Sequence, residues 1–185
     1  SDVLLDLYED PRQALLDLMR AVSGDDTLCF NTSLAQSEKA AGFRNIALVN
    51  YLKSLGNINN AVDDVLDLYF DCCSVMVNCE QLARMFLFFA NHGRSLDQNL
   101  QVLNTSQTKR INAIMLTCGF YDEAGDFAYQ VGLPGKSGVG GGIVAVLPNA
   151  FSLAVWSPRL NQKGNSFRGL RFLEKFTTIT GQSIF

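Results

Sequence analysis

Residues 117–142 read Thr117-Cys-Gly-Phe-Tyr-Asp-Glu-Ala-Gly-Asp-Phe-Ala-Tyr-Gln-Val-Gly-Leu-Pro-Gly-Lys-Ser-Gly-Val-Gly-Gly-Gly142, and the chain changes character across them. Upstream, apolar residues recur at the spacing of amphipathic helices. Downstream, Gly142-Ile-Val-Ala-Val-Leu-Pro148 and Phe151-Ser-Leu-Ala-Val-Trp-Ser-Pro158 are short apolar runs separated by Pro148-Asn149-Ala150. Their β-branched and aromatic residues, with turn residues between, predict two paired strands. Each run is apolar at consecutive positions, so both sheet faces should be covered. Within the stretch, Tyr121 follows a helix end at Cys118-Gly119. A Lys136-Ser137-Gly138 run then leads through glycines into the first strand.

Working outward, Asp10-Pro11 reads as an N-cap and first-turn proline, with Leu15, Leu16, Leu18, Met19 and Val22 along one face. The spacing of Ile46, Val49, Leu52 and Leu55 predicts a helix over 33–55, closed by Gly56. A third helix is expected over 61–72, burying Val62, Val65, Leu66 and Tyr69. A fourth is expected from Asn78 to the region of His92-Gly93, and a fifth from Ser106 to Cys118. Residues 126–138 are expected to supply a strand entering Lys136, and 165–179 a closing helix ended by Gly181. Helices followed by antiparallel strands and a final helix give an α+β class. One domain is expected over 1–185, mainly helical over 1–119, with strands and the last helix over 120–185.

The composition suits a folded globular chain: of 185 residues, 48% are hydrophobic and 18% charged, with thirteen Phe. A net charge of -3, and no basic run longer than Lys109-Arg110, argue against nucleic acid and anionic membrane as partners. No apolar stretch is long enough to span a bilayer. The N-terminus lacks a basic region and a cleavage site, and reads as a sequence already under way. Cys29, Cys72, Cys73, Cys79 and Cys118 are odd in number and form no Cys-x-x-Cys. That pattern predicts buried reduced thiols of a cytoplasmic protein, with neither a disulfide framework nor a zinc site. No metal or organic cofactor is implied.

Several residues carry possible chemistry. A lysine on a strand edge, as at Lys136, could orient a hydroxyl or a substrate carboxylate, and the small residues after it let a substrate lie against the backbone. The glycines at 138 and 140–142 precede a strand and not a helix, so they are no phosphate loop. They can instead expose backbone N–H groups, that of Val139 among them, as an oxyanion donor; the plain alternative is a flexible lead-in to the strand. Tyr121 could relay a proton, or simply pack. Glu38 and Asn45 lie close to two turns apart in the expected second helix, and so on one face. There they could hold an α-ammonium and an α-carboxylate, or be a solvated face. Tyr69 has core packing as its alternative. His92, the single histidine, has no catalytic partner in view and is expected at a helix C-terminus. Ser106-Gln-Thr-Lys109 fits Ser-x-x-Lys literally, but it opens a helix, where Ser serves as an N-cap.

Taken in order, Ser37-Glu-Lys-Ala-Ala-Gly-Phe-Arg-Asn45, Leu66-Asp-Leu-Tyr-Phe-Asp-Cys-Cys-Ser74, Cys118-Gly-Phe-Tyr-Asp122, Val131-Gly-Leu-Pro-Gly-Lys-Ser-Gly-Val-Gly-Gly-Gly-Ile143 and Trp156-Ser-Pro with Gly164-Asn-Ser166 closely resemble the serine-dependent glutaminases of the β-lactamase/transpeptidase-like fold. The resemblance implies that Glu38, Asn45, Tyr69, Tyr121 and Val139 bind substrate, Tyr121 and Val139 also acting in catalysis. It implies L-glutamine and L-glutamate as small-molecule partners, and a homo-oligomer. The family's nucleophilic serine and the lysine three residues on have no counterpart here. The expectation is therefore a partial domain, the C-terminal part of a glutaminase, inactive by itself. The alternatives are another amide hydrolase of the same fold, or a non-catalytic amino-acid-binding or assembly module.

Overall fold

The computed structural model describes residues 1–96 and 100–185. Their contacts group into two compact units, residues 1–21 with 25–77, and residues 22–24 with 78–185.

The first unit is helical: α1 (Asp2–Leu7), most of α2 (Pro11–Ser23), α3 (Thr32–Ala41), α4 (Phe43–Ser54) and α5 (Val62–Cys72). A two-residue antiparallel ladder joins β1 (Cys29–Phe30) to β2 (Val75–Met76). The expected cap at the start of α2 forms, with the Gln13 N–H donating to Asp10 Oδ1 at 3.0 Å. The single helix expected over 33–55 does not: the chain breaks at Gly42 into α3 and α4. Here α3 and α4 both pack on α5, and a Cβ at residue 42 would lie 2.4 Å from Phe70 Cζ. Glycine is needed where the buried Phe70 ring meets the backbone. Ala35, Leu66 and Phe70 form the core, with Ile46, Val49 and Val62 packed against them. Leu52 and Leu55, expected on the same buried face as Ile46, are exposed instead. Two ion pairs brace α5: Arg12 Nε to Asp71 Oδ2 at 2.5 Å and Lys39 Nζ to Asp67 Oδ1 at 2.6 Å. The second raises the Lys39 pKa above its ordinary value, chiefly through the hydrogen bond itself.

The second unit is built on a three-stranded antiparallel sheet, ordered β3 (Gly135–Ser137), β4 (Gly142–Leu147), β5 (Phe151–Trp156). Lys136 pairs with Val144, and Ala145 with Leu153. Side chains alternate across a strand, and β4 uses both faces. Ile143 and Ala145 join Phe120, Phe127, Leu133 and Leu173 in one cluster. Val146 joins Ala90 and Met115 in another. The first cluster draws Leu173 from α9 (Phe167–Thr180), the second Ala90 from α6 (Cys79–Ala90) and Met115 from α7 (Thr105–Cys118). Burying a Leu or Ile of this kind is worth about 1.5–3 kcal/mol. The covered-sheet expectation therefore holds for β4, while β5 is only half-buried.

Capping boxes open two helices, Asn78 with Gln81 for α6 and Asn104 with Gln107 for α7. Asn104, not Ser106, is the cap of α7; Ser106 is an exposed residue of its first turn. Ser166 caps α9 by accepting from the Gly169 N–H. The strand expected over 126–138 shrinks to β3. Before it come a 3-10 turn at Tyr121–Glu123 and the short helix α8 (Ala124–Gln130). Phe127 of α8 stacks on Phe120 with ring centroids 3.6 Å apart, a buried contact that favours helix here over extended chain. The five cysteines are free, but not buried as expected: Cys72 is half-buried, which raises its thiol pKa, and the others are exposed. Among the described residues no helix is long and apolar enough to cross a membrane.

Candidate active site

In the second unit, the end of α7 meets β3 very closely. A Cβ at Gly119 would lie 1.8 Å from the Gly135 carbonyl oxygen, so only glycine fits. The Gly119 carbonyl accepts from the Ser137 N–H at 3.1 Å and from Ser137 Oγ at 3.3 Å. This junction sets the 3-10 turn carrying Tyr121 beside the Lys136-Ser137-Gly138 strand. Lys136 Nζ lies 4.9 Å above the centre of the Tyr121 ring, a cation–π arrangement, and also donates to the Ser137 carbonyl. Tyr121 has φ +52°, a left-handed conformation that side chains other than glycine adopt at a cost of about 1–3 kcal/mol. Its ring is 48% exposed.

The glycine segment makes a tight turn. The Gly141 N–H donates to the Gly138 carbonyl at 3.0 Å, and the Gly138 N–H to the Gly142 carbonyl at 3.0 Å. Val139 is the second residue of that turn, a position whose N–H is left out of the closing bond. Among the described residues its N–H has no acceptor. Trp156 Nε1 braces the turn by donating to the Gly140 carbonyl at 2.9 Å. Gly164 lies next to both candidates: a Cβ there would sit 3.8 Å from Tyr121 Cε2 and 3.8 Å from Val139 Cγ1. Tyr121, Val139, Lys136 and Gly164 thus gather in one place. A phenol, an unengaged backbone donor and a cationic lysine can stabilise developing negative charge and move a proton.

Glu38, Asn45 and Tyr69 belong to the first unit. Glu38 is exposed on α3, Asn45 half-buried on α4, and Tyr69 on α5. Because Gly42 separates α3 from α4, two-turn spacing does not place Glu38 and Asn45 on one helix face. Both helices nevertheless lie against α5, so the three residues share one helical layer. Tyr69 is 40% exposed and not the core residue its periodicity suggested; its ring meets Phe70 edge-on at 5.3 Å. His92 is exposed in the turn after α6, at φ +52°.

One recess of the first unit is lined by Thr32, Lys39, Asp67 and Phe70, and one of the second by Pro158, Leu160, Asn161 and Phe167; Tyr121, Lys136 and Val139 line neither. Among the described residues no group of three or more His, Cys, Asp and Glu side chains is placed to hold a metal ion. From the sequence, Trp156 and Gly164-Asn165 enter only as matching segments, with no role at the site; Glu123 and Asn161, behind Tyr121, have none either. Asn161 and Gly164-Asn165 are turn residues, which was the available signal.

The family profile described as Glutaminase matches residues 3–185. A glutaminase of Christiangramia forsetii is 55% identical over 185 residues, covering all of this chain and 61% of that protein. One of Aliarcobacter butzleri is 52% identical over 186 residues, again covering all of this chain and 61% of the relative. Among solved structures, the Bacillus subtilis glutaminase YbgJ in covalent complex with 5-oxo-L-norleucine superposes with a TM-score of 0.90 at 30% identity, over 95% of this chain and 62% of that one. The α+β arrangement expected from the sequence is the β-lactamase-like fold of the Bacillus glutaminases. The chain spans 61% of the length of these curated relatives. It belongs to the glutaminase family.

Proposed function

We propose that this chain supplies part of the pocket of an enzyme that hydrolyses the side-chain amide of L-glutamine to L-glutamate and ammonia. The observation that carries this is the gathering of Tyr121, Lys136 and the Val139 N–H around Gly164. Amide hydrolysis through an acyl-enzyme needs a nucleophile, a donor for the tetrahedral oxyanion and a group that protonates the leaving amine. The Val139 N–H meets the second need, and the Tyr121 phenol the third. Lys136, over the ring, helps hold the Tyr121 side chain beside the strand.

The nucleophile in this reading is a serine with a lysine three residues on, in a segment outside this chain. That placement is carried over from the family resemblance; the covalent complex of YbgJ with 5-oxo-L-norleucine is a property of that relative and identifies no residue here. By the family resemblance, Glu38 and Asn45 would hold the substrate's ammonium and carboxylate, and Tyr69 would also contact the substrate. L-glutamine and L-glutamate are then the small-molecule partners. A cytoplasmic location is carried over from the cysteine pattern, and a homo-oligomer from the family resemblance.

Ammonia release from L-glutamine by the full-length polypeptide, assayed beside a β-lactam and beside this chain alone, tests the proposal. Release from glutamine only, and only by the full-length protein, is expected. Turnover of the β-lactam in preference would favour another hydrolase of the same fold. Silence toward both would favour a binding module, and activity of the isolated chain would overturn the external nucleophile.

A further inference from the structure

Behind Tyr121 lies a hydrogen-bonded cluster that the chemistry above does not use. Asn165 is 0% exposed. Its Nδ2 donates to the Phe120 carbonyl at 3.2 Å and to Glu123 Oε2 at 2.5 Å. Asn161 Nδ2 spans the same carboxylate, at 3.0 Å from Oε1 and 2.8 Å from Oε2. Both groups facing Asn165 Nδ2 are acceptors, so the orientation of that amide is forced; its oxygen there would oppose two others.

The place of these bonds matters. The Phe120 carbonyl also accepts from the Glu123 N–H at 2.9 Å. It belongs to the peptide joining Phe120 to Tyr121, whose plane sets the Tyr121 φ of +52°. A left-handed tyrosine persists only where its surroundings over-determine it, and two donors on that carbonyl do so. On the far side, Asn161 Oδ1 accepts from the Lys163 and Asn165 N–H groups, both at 3.0 Å. The Asn161 N–H donates to the Asn165 carbonyl at 2.7 Å. The 161–165 loop is thereby closed on itself, with Gly164 against Tyr121 and Val139.

We propose that Glu123, Asn161 and Asn165 are positioning residues that hold Tyr121 in its left-handed conformation and seat Gly164 beside Tyr121 and Val139. The Glu123 carboxylate is the hub, since it fixes both asparagine amides. The claim rests on the reading of Tyr121 as the proton relay. A cluster that only pinned the start of α9 would alter stability and leave the chemical step alone.

The test uses the full-length protein with L-glutamine and four forms: native, Glu123→Gln, Tyr121→Phe and the double variant. Glu123→Gln keeps the volume but turns one acceptor into a donor facing the asparagines. It is expected to lower kcat about 10- to 100-fold, as a displaced catalytic group does, with KM within about threefold. The double variant should be no slower than Tyr121→Phe alone, because the cluster acts through that hydroxyl. An unchanged kcat for Glu123→Gln, or losses that multiply in the double variant, overturns the proposal while leaving the role of Tyr121 intact. If Tyr121→Phe itself keeps full turnover, the relay reading fails, and fluorine NMR of 3-fluorotyrosine-labelled protein decides the positioning claim. A Tyr121 resonance displaced by Glu123→Gln, with that of Tyr8 unmoved, supports it; an unmoved Tyr121 resonance overturns it. Should Glu123→Gln not fold, Asn161→Ala takes its place in every arm.

Discussion

Glu38 and Tyr69 stand on regular α-helices, while Tyr121 opens a short 3-10 turn with a left-handed φ and Val139 stands in a glycine turn. In the first unit, a candidate side chain is presented by a helix whose hydrogen bonds and Phe70 core would form whatever residue stood there. In the second, the Tyr121 conformation is unfavourable by itself, and the Val139 turn is braced from outside. They depend on neighbours: Gly119 against Gly135, Trp156 on Gly140, and Asn165 on Phe120. Substitutions in the first unit should therefore act mainly through the side chain removed. In the second, residues that touch no substrate should matter as well.

The largest effect that would break this contrast, if absent, is that of Gly119→Ala. The added Cβ meets backbone, with the Gly135 oxygen 1.8 Å and the Met115 oxygen 2.4 Å away. We expect a loss of about 3 kcal/mol or more together with loss of glutamine turnover, read by urea denaturation and ammonia release. Gly42→Ala is the matching change in the first unit. There the Cβ meets the buried Phe70 ring at 2.4 Å and the Glu38 carbonyl oxygen at 2.9 Å, which costs about 1–3 kcal/mol. Stability should fall by urea denaturation, with kcat per folded molecule largely kept. Trp156→Phe removes the bond to Gly140 and should lower kcat about three- to tenfold, as expected for about 1 kcal/mol. Steady-state kinetics check it, with circular dichroism to show an unchanged fold.

The smallest effect concerns pH. The Asn60 backbone N–H, then its side-chain amide and the Asn59 N–H, hold the Asp2 carboxyl below its ordinary value of 3.8. A lowered folded pKa gives stability that is present above the unfolded value and is lost as pH falls through the folded one. The Tm difference between native protein and Asp2→Asn should thus shrink on going from about pH 6 to below about pH 4. A difference constant across that range would count against the contact.

What could be read in advance follows the same division. The cap at Asp10, the capping residue Asn78, and the hairpin through Asn149 (φ +66°) were legible because each is specified by neighbours in sequence. The break at Gly42 was not, since apolar spacing runs on through 33–55 and the interrupting Phe70 comes from another helix. Residues 126–130 of α8 fall in the expected strand for a similar reason: the deciding contact, Phe127 on Phe120, reaches outside the helix. For the candidate site, the motif stretch brought Tyr121, Lys136 and Val139 into view. The supports from residues 156–165 carry only turn chemistry locally, and their partners lie far back in the chain.

The most direct test of the contrast is to measure kcat and KM for L-glutamine in Tyr121→Phe and Glu38→Ala forms of the full-length protein. Tyr121→Phe should lower kcat about 100-fold or more with little change in KM. Glu38→Ala should raise KM about tenfold or more with kcat nearly kept. An unaltered kcat in the first, or an unaltered KM in the second, would contradict the division of labour between the two units.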